Sequence, residues 1–291
     1  MPTTYNQYPI YISQTGTNSI NLQNYFMPFD LSVDYEAQVE PKRYLPVSNS
    51  VANNIVSTAA LNSKISFSFY LNSSNTGAFG YLANYFNINN SNSKNYTGRH
   101  NIQIGNSIFS GCYLDELTIS CDNMFKPMTS SVSFTCTNPP QGSLAFKNDF
   151  APINDQQTES SSFIYGYASA INNFTTSSQS KSFDLIHKYS FKQTLSISRT
   201  PVYTLGSINA QYMLMDGVEK NLNMSCDDVN GLMNFSGNIL NNNLSLKIKD
   251  VYSNDLFDIV MNAGSRIISQ NISVQEKDTL GVSISIKEVS V

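Results

Sequence analysis

Lys64-Ile65-Ser66-Phe67-Ser68-Phe69-Tyr70-Leu71 is the stretch that decides the fold class, because polar and apolar residues alternate along most of it with period two. Successive side chains of an extended chain point to opposite faces, so Ile65, Phe67 and Phe69 form one row and Lys64, Ser66 and Ser68 the other. An amphipathic helix needs apolar residues three and four apart instead. The signature returns in Leu117-Thr118-Ile119-Ser120-Cys121, Ser131-Val132-Ser133-Phe134-Thr135-Cys136, Leu195-Ser196-Ile197-Ser198-Arg199 and Val282-Ser283-Ile284-Ser285-Ile286. Each reads as an antiparallel strand with one face in a core and a Ser, Thr or Asn face toward solvent.

Composition points the same way. The 291 residues are 41% hydrophobic, with 17 Tyr, 17 Phe and no Trp. Only 13% are charged, against about 25% in soluble domains. Asn and Ser, about a quarter of the chain, supply the missing polarity. This apolar content buries a core and excludes charge-driven disorder. Too few Ala, Glu, Lys, Leu and Arg are present for a coiled coil, and no run approaches the roughly 18 apolar residues of a spanning helix, so no membrane insertion is expected. The opening Met1-Pro2-Thr3-Thr4-Tyr5-Asn6-Gln7 carries neither a basic nor an apolar signal region, so cytosolic synthesis is expected. Net charge is −4 and basic residues come singly or in pairs, as in Lys42-Arg43, which argues against a phosphate-gripping face.

Two short segments carry helical spacing. Gly80-Tyr81-Leu82-Ala83-Asn84-Tyr85-Phe86 groups Tyr81, Leu82, Tyr85 and Phe86, and Ile164-Tyr165-Gly166-Tyr167-Ala168-Ser169-Ala170-Ile171 is the weaker of the two. The expected class is all-β, with two tandem antiparallel β-sandwich or barrel domains and one short helix each.

A weak internal repeat supports the tandem reading. The first half runs through residues 31–43 and Pro46, a strand at 64–71, a long polar loop, a strand ending at 117–120 and a closing strand at 131–135. The second half follows with residues 188–199 and Pro201, then 220–225, a Gly/Asn-rich stretch, 267–274 and 282–286. Arg43 to Lys64 and Arg199 to Lys220 are both separated by 21 positions. Later offsets are about 150 residues, close to half the chain. Pro139-Pro140-Gln141-Gly142 and the polar run 155–162 punctuate the join. The expected domains are therefore 1–150, with a long polar loop at 72–101, and 151–291.

Catalytic chemistry is hard to find. Cys112, Cys121, Cys136 and Cys226 lack the C-x-x-C spacing of a zinc site and read as small buried hydrophobes. In an oxidising medium, the pairs considered are Cys112 with Cys121 or Cys121 with Cys136. His100 and His187 have no acid or Cys at ligand spacing, and His100, beside Arg99, reads as a rim or loop residue. No nucleophile elbow, Walker A loop or dinucleotide turn is present. Asp227-Asp228, and Asp255 with Asp258, read as solvated turn acids, and Asn230-Gly231 as a hairpin turn rather than a calcium loop. No catalytic residue, metal site, cofactor or small-molecule substrate is expected. The amide-rich loop 72–101 has the character of an adhesive protein contact. Its Tyr81, Tyr85, Phe86 and Tyr96, with Ile284 and Ile286 of the closing strand, are the expected subunit-interface residues.

Residues 195–207 (Leu195-Ser196-Ile197-Ser198-Arg199-Thr200-Pro201-Val202-Tyr203-Thr204-Leu205-Gly206-Ser207), Ile268-Ser269-Gln270-Asn271-Ile272-Ser273-Val274 and Val282-Ser283-Ile284-Ser285-Ile286-Lys287-Glu288-Val289 together carry a resemblance. In pattern and order this chain is similar to tail proteins of the bacteriophage tail-tube superfamily and their baseplate relatives, over 187–291 with a fainter echo in 31–136. The resemblance implies packed antiparallel sheets with a helix at the side. It also implies a non-enzymatic virion structural protein of the tail, assembled in the host cytoplasm, as tube, baseplate hub or terminator. Its partners would be itself, as a trimer or hexamer ring, and other tail proteins, with passive contact to DNA in the lumen. The alternatives are another all-β virion protein (capsid decoration, neck or adhesin) and a carbohydrate-binding β-sandwich. The lack of Trp disfavours sugar stacking, and the lack of a convincing acid pair disfavours hydrolysis.

Overall fold

The structure, a computed structural model, describes residues 9–14, 25–36, 39–44, 52–57, 62–71, 82, 99–105, 107–123, 126–138, 164, 170–171, 186–205, 209–228, 237–249, 255–274 and 280–290. Its strands are β1 (Ile10–Gln14), β2 (Tyr25–Phe26), β3 (Pro28–Glu36), β4 (Val39–Tyr44), β5 (Ala52–Ser57), β6 (Asn62–Tyr70), β7 (His100–Ile104) and β8 (Ser107–Cys121). They continue with β9 (Thr129–Cys136), β10 (Ala170–Ile171), β11 (Ile186–Val202), β12 (Tyr212–Asp228), β13 (Leu244–Lys249), β14 (Asp255–Met261), β15 (Arg266–Val274) and β16 (Leu280–Ser290). The protein is nearly all β, around one large antiparallel sheet.

That sheet runs β3-β6-β9-β8-β11-β12-β16-β15, every neighbour antiparallel. The order β3-β6-β9-β8 is followed by β11-β12-β16-β15, and each foursome takes its strands first, second, fourth, third in chain order. Alternation sets which face is which. In β9 the burial pattern alternates along the strand, Val132 and Phe134 inward and Ser131, Ser133 and Thr135 outward.

Strand β8 positions everything else, because it changes partner part-way along. Residues 107–112 pair with β7 and 116–121 pair with β11 on the same edge, while β9 holds the other edge. The hand-over needs a bend. Gly111 sits at φ 66, and a Cβ there would lie 2.8 Å from the Thr137 hydroxyl, so only glycine fits. A bulge between Leu114 and Glu116 completes the turn.

Bent away, β7, β1 and β2 form a branch whose side chains cover the first foursome. Phe26 packs on Phe69 at 4.6 Å and on Phe67 at 5.8 Å between ring centroids, and the His100 ring meets Phe134 edge-on at 5.7 Å. The small sheet β10-β13-β14 contributes Leu244, Leu246, Ile248, Ile259 and Met261 to the same core cluster, and Gln193 of β11 donates to the Met261 sulfur at 3.5 Å. One contiguous core therefore crosses both halves of the chain.

Several expectations are corrected here. Cys112 pairs with Cys136, not with Cys121, because antiparallel register sets Cys112 and Cys136 directly opposite with Cα atoms 3.9 Å apart. Cys121 lies nine positions further along the same extended strand, about 30 Å away, beyond disulfide reach. His100 is no rim residue, since it is fully buried at the start of β7. Asp255 and Asp258 belong to β14, not to a turn. Ala170 and Ile171 pair with β13 as a strand rather than closing a helix, the tertiary ladder overriding weak local spacing. Of the other helix candidate only Leu82 is described, and it is buried. The expected domain boundary near 150 and the Asn230-Gly231 turn lie outside the described residues.

Candidate assembly surface

The outward face of the large sheet is a ladder of hydroxyls and amides. One rung reads, strand by strand, Asp30, Ser68, Ser131, Thr118, Thr194, Asn221 and Lys287, each residue register-paired with the next. The neighbouring rung reads Ser32, Ser66, Ser133, Glu116, Ser196 and Glu219. Cross-strand contacts knit them together: Ser66 donates to Ser133 at 3.3 Å, the Thr118 and Thr194 hydroxyls meet at 3.3 Å, and those of Ser120 and Thr129 at 2.7 Å.

Charge on this face is interleaved. Asp34 faces Lys64 in register, and Lys287 reaches Glu219 at 2.7 Å. The Lys287 ammonium, and then the Asn221 amide, hold the Glu219 carboxyl below its ordinary range. An open depression among Asp30, Ser32, Lys64, Glu116 and Ser133 is similarly mixed. Such a surface offers polyanions no basic stripe to grip.

The sheet's two outermost strands are unlike. Among the described residues, β3 pairs with β6 alone. On β15 the outer edge is met at its start by residues 237–239. There Ile239 bridges to Arg266, and the backbones of Gly237 and Asn238 bond to that of Ile267. Residues 268–274, Ile268-Ser269-Gln270-Asn271-Ile272-Ser273-Val274, contain neither a charged residue nor Pro. Ile268 and Ile272 are 49% and 42% exposed. Long edge strands normally carry charges or Pro to prevent pairing; in β15 the one charge is Arg266, at its start.

Elsewhere, charged groups serve the interior. Lys220, 1% exposed, lies 3.2 Å from Glu288, whose carboxylate also accepts the Asn262 backbone N–H at 3.0 Å and its side-chain amide at 2.7 Å. This cluster ties β12 and β16 to the turn between β14 and β15. At the β8 bend, Tyr113 accepts from Arg99 at 2.8 Å and from the Met213 backbone N–H at 3.3 Å, while Arg199 lies over its ring at 5.3 Å. Arg199 also donates to the Leu114 carbonyl at 3.3 and 3.2 Å, holding the bulge. Burial, then the Arg199 charge, lowers the His100 pKa to about 4. Burial raises that of Asp115, partly offset by the Thr135 hydroxyl at 2.5 Å and by Arg199. Among the described residues no three His, Cys, Asp or Glu side chains converge on a metal position, and no helix is long and apolar enough to cross a membrane.

Of the interface residues expected from sequence, Tyr81, Tyr85, Phe86 and Tyr96 lie outside the described residues. Ile284 and Ile286 are 2% and 0% exposed and pack within the chain's own core. Sequence reasoning missed that β3 and β15 are the terminal strands of the eight-strand run, with Ile272 exposed on β15. The available signal was the uncharged run 268–274. The chain matches no protein-family model and no curated protein.

Proposed function

We propose that the protein is a non-enzymatic structural subunit that closes edge to edge into a ring around a polar channel, a bacteriophage tail-tube-like component of the tail. The observation that carries this reading is the continuous sheet in which one strand order occurs twice, with the unlike strands β3 and β15 at its ends among the described residues. Two such foursomes are the pattern of a duplicated unit, with tandem domains over 1–150 and 151–291. Unlike edges favour head-to-tail contacts, which form rings when the rotation closes. Closure of three or six copies satisfies every exposed edge and removes an aggregation hazard.

The hydroxyl and amide face becomes the lumen. Its interleaved charges let DNA slide without retention. Tube, baseplate hub and terminator are the roles this geometry serves, in the virion tail after assembly in the host cytoplasm, with other tail proteins as neighbours and no cofactor. Native mass measurement tests the reading: three or six times 32.3 kDa is expected, and a monomer at every concentration overturns it.

A second reading, a carbohydrate-binding sandwich, is favoured by one feature. Phe29 and Tyr70, 44% and 41% exposed, lie with ring centroids 4.7 Å apart as a small aromatic platform. Glycan-array binding by a monomer is the result that selects it.

A further inference from the structure

Alternation along β12 turns Lys220 toward the core between Val218 and Leu222, with Leu195 opposite it on β11 and Glu288 opposite it on β16. Leu195, Val218 and Leu222 are buried, and Lys220 itself is 1% exposed. A third segment meets the pair. Asn262, the first residue after β14, donates its side-chain amide to Glu288 Oε1 at 2.7 Å, and Lys220 Nζ lies 3.2 Å from the same oxygen. One carboxylate oxygen therefore holds an amine nitrogen and a carboxamide nitrogen side by side. Glu288 Oε2 accepts the Asn262 backbone N–H at 3.0 Å, and the Ser265 hydroxyl donates to the Asn262 carbonyl at 2.6 Å, so the turn fixes the carboxamide against the carboxylate.

An amine, an amide carbon and a carboxylate in contact with both partners are the parts of a transamidation. We propose that Lys220 and Asn262 join in an intramolecular isopeptide bond, with Glu288 as the catalytic acid and base. The ion pair is the reactant state. A lysine amine becomes a nucleophile when a neighbouring base takes its proton, and Glu288 is that base. Nζ then attacks Cγ of Asn262, one bond beyond the Nδ2 that Glu288 already holds, and the proton on Glu288 passes to Oδ1. As the tetrahedral centre collapses, Glu288 carries a proton from Nζ to Nδ2, the Cγ–Nδ2 bond breaks and the carbonyl re-forms. Of the hydrogens the two nitrogens start with, one stays on the new amide and the rest leave with Nδ2 as ammonium. Nothing is oxidised or reduced, and Glu288 ends as the carboxylate it began. Amides resist amines in free solution, and the fold overcomes this by holding the two groups together.

The bond ties β12 of the large sheet to the turn between β14 and β15. It closes a covalent loop around β13 and β14, whose Leu244, Leu246, Ile248, Ile259 and Met261 belong to the core. Such a link restricts the unfolded chain as a disulfide does, but reductants do not open it. It is independent of the ring reading.

Mass spectrometry of the full chain tests the proposal. The purified wild type is expected to weigh one ammonia less than its unlinked sequence. Trypsin is expected to release a branched peptide in which residues 200–247, uncut at Lys220, are joined to residues 250–266 through Asn262. Glu288→Gln and Asn262→Ala are each expected to keep the full mass and to be cut after Lys220. A wild type of full mass that is cut after Lys220 overturns the proposal. Loss of ammonia without the branched peptide also overturns it, because succinimide closure at an asparagine releases the same molecule. A branched peptide that persists in Glu288→Gln overturns the role of Glu288. The two wild-type measurements decide the bond itself whether or not the variants fold.

Discussion

Lys220 shows how a single residue can be charged in a core built for apolar side chains. Its position on β12 is core-facing by alternation, and Glu288, register-paired with it on β16, provides the counter-charge. Lys220→Met is expected to destabilise the fold by about 3–5 kcal/mol, because it leaves a buried carboxylate without its cation. Adding Glu288→Leu is expected to restore much of that loss, read as denaturation midpoints of the single and double variants. His100 gives the pH dependence. Its pKa falls from 6.5 unfolded to about 4 folded, so the unfolded chain binds the extra proton between those values. Stability is expected to be full above about pH 6.5 and to drop by roughly 3 kcal/mol as pH falls to about 4. Asp115, its carboxyl raised by burial, acts in the opposite sense at the acid end of that window. Denaturant titrations across the range check this, and His100→Leu is expected to flatten the slope. Neither environment was legible in the sequence. Burial of His100 depends on the β8 bend, and the partner of Cys112 depends on register, both set by contacts distant along the chain.

At the scale of elements, alternation exposes the strands that matter most and hides those that cover them. Residues 64–70, 117–121, 131–136, 195–199 and 282–286 all fall in strands of the large sheet, as their period-two pattern requires. The cover strands β13 and β14 lie in a stretch that reads as Gly/Asn-rich, although Leu244-Ser245-Leu246-Lys247-Ile248 alternates cleanly inside it. Their neighbours Asn241-Asn242-Asn243 mask the signal. Two substitutions separate core from edge. Ile284→Asp puts an unpaired charge at a position 2% exposed and is expected to abolish cooperative folding, read by circular dichroism and thermal melting. Ile272→Lys, at a position 42% exposed, is expected to leave the melting temperature nearly unchanged while reducing the native mass to that of a monomer. Lysine on an edge strand blocks pairing without disturbing the strand itself.

At the scale of the molecule, low charge and a long sheet have one explanation. With 13% charged residues the surface is weakly solvated for a free monomer. In the proposed ring the same surface would close against copies of itself without stranding ions. The segments read as a repeat over residues 31–135 and 188–286 lie in one sheet, in the order β3-β6-β9-β8 and β11-β12-β16-β15. Spatial adjacency, β8 beside β11, is what the linear pattern does not contain. Edge-to-edge closure around the polar face defines the proposed ring. Negative-stain imaging of the purified chain tests it most directly: closed rings of three- or six-fold appearance with an open centre are predicted, and uniformly small single particles without a channel would contradict it.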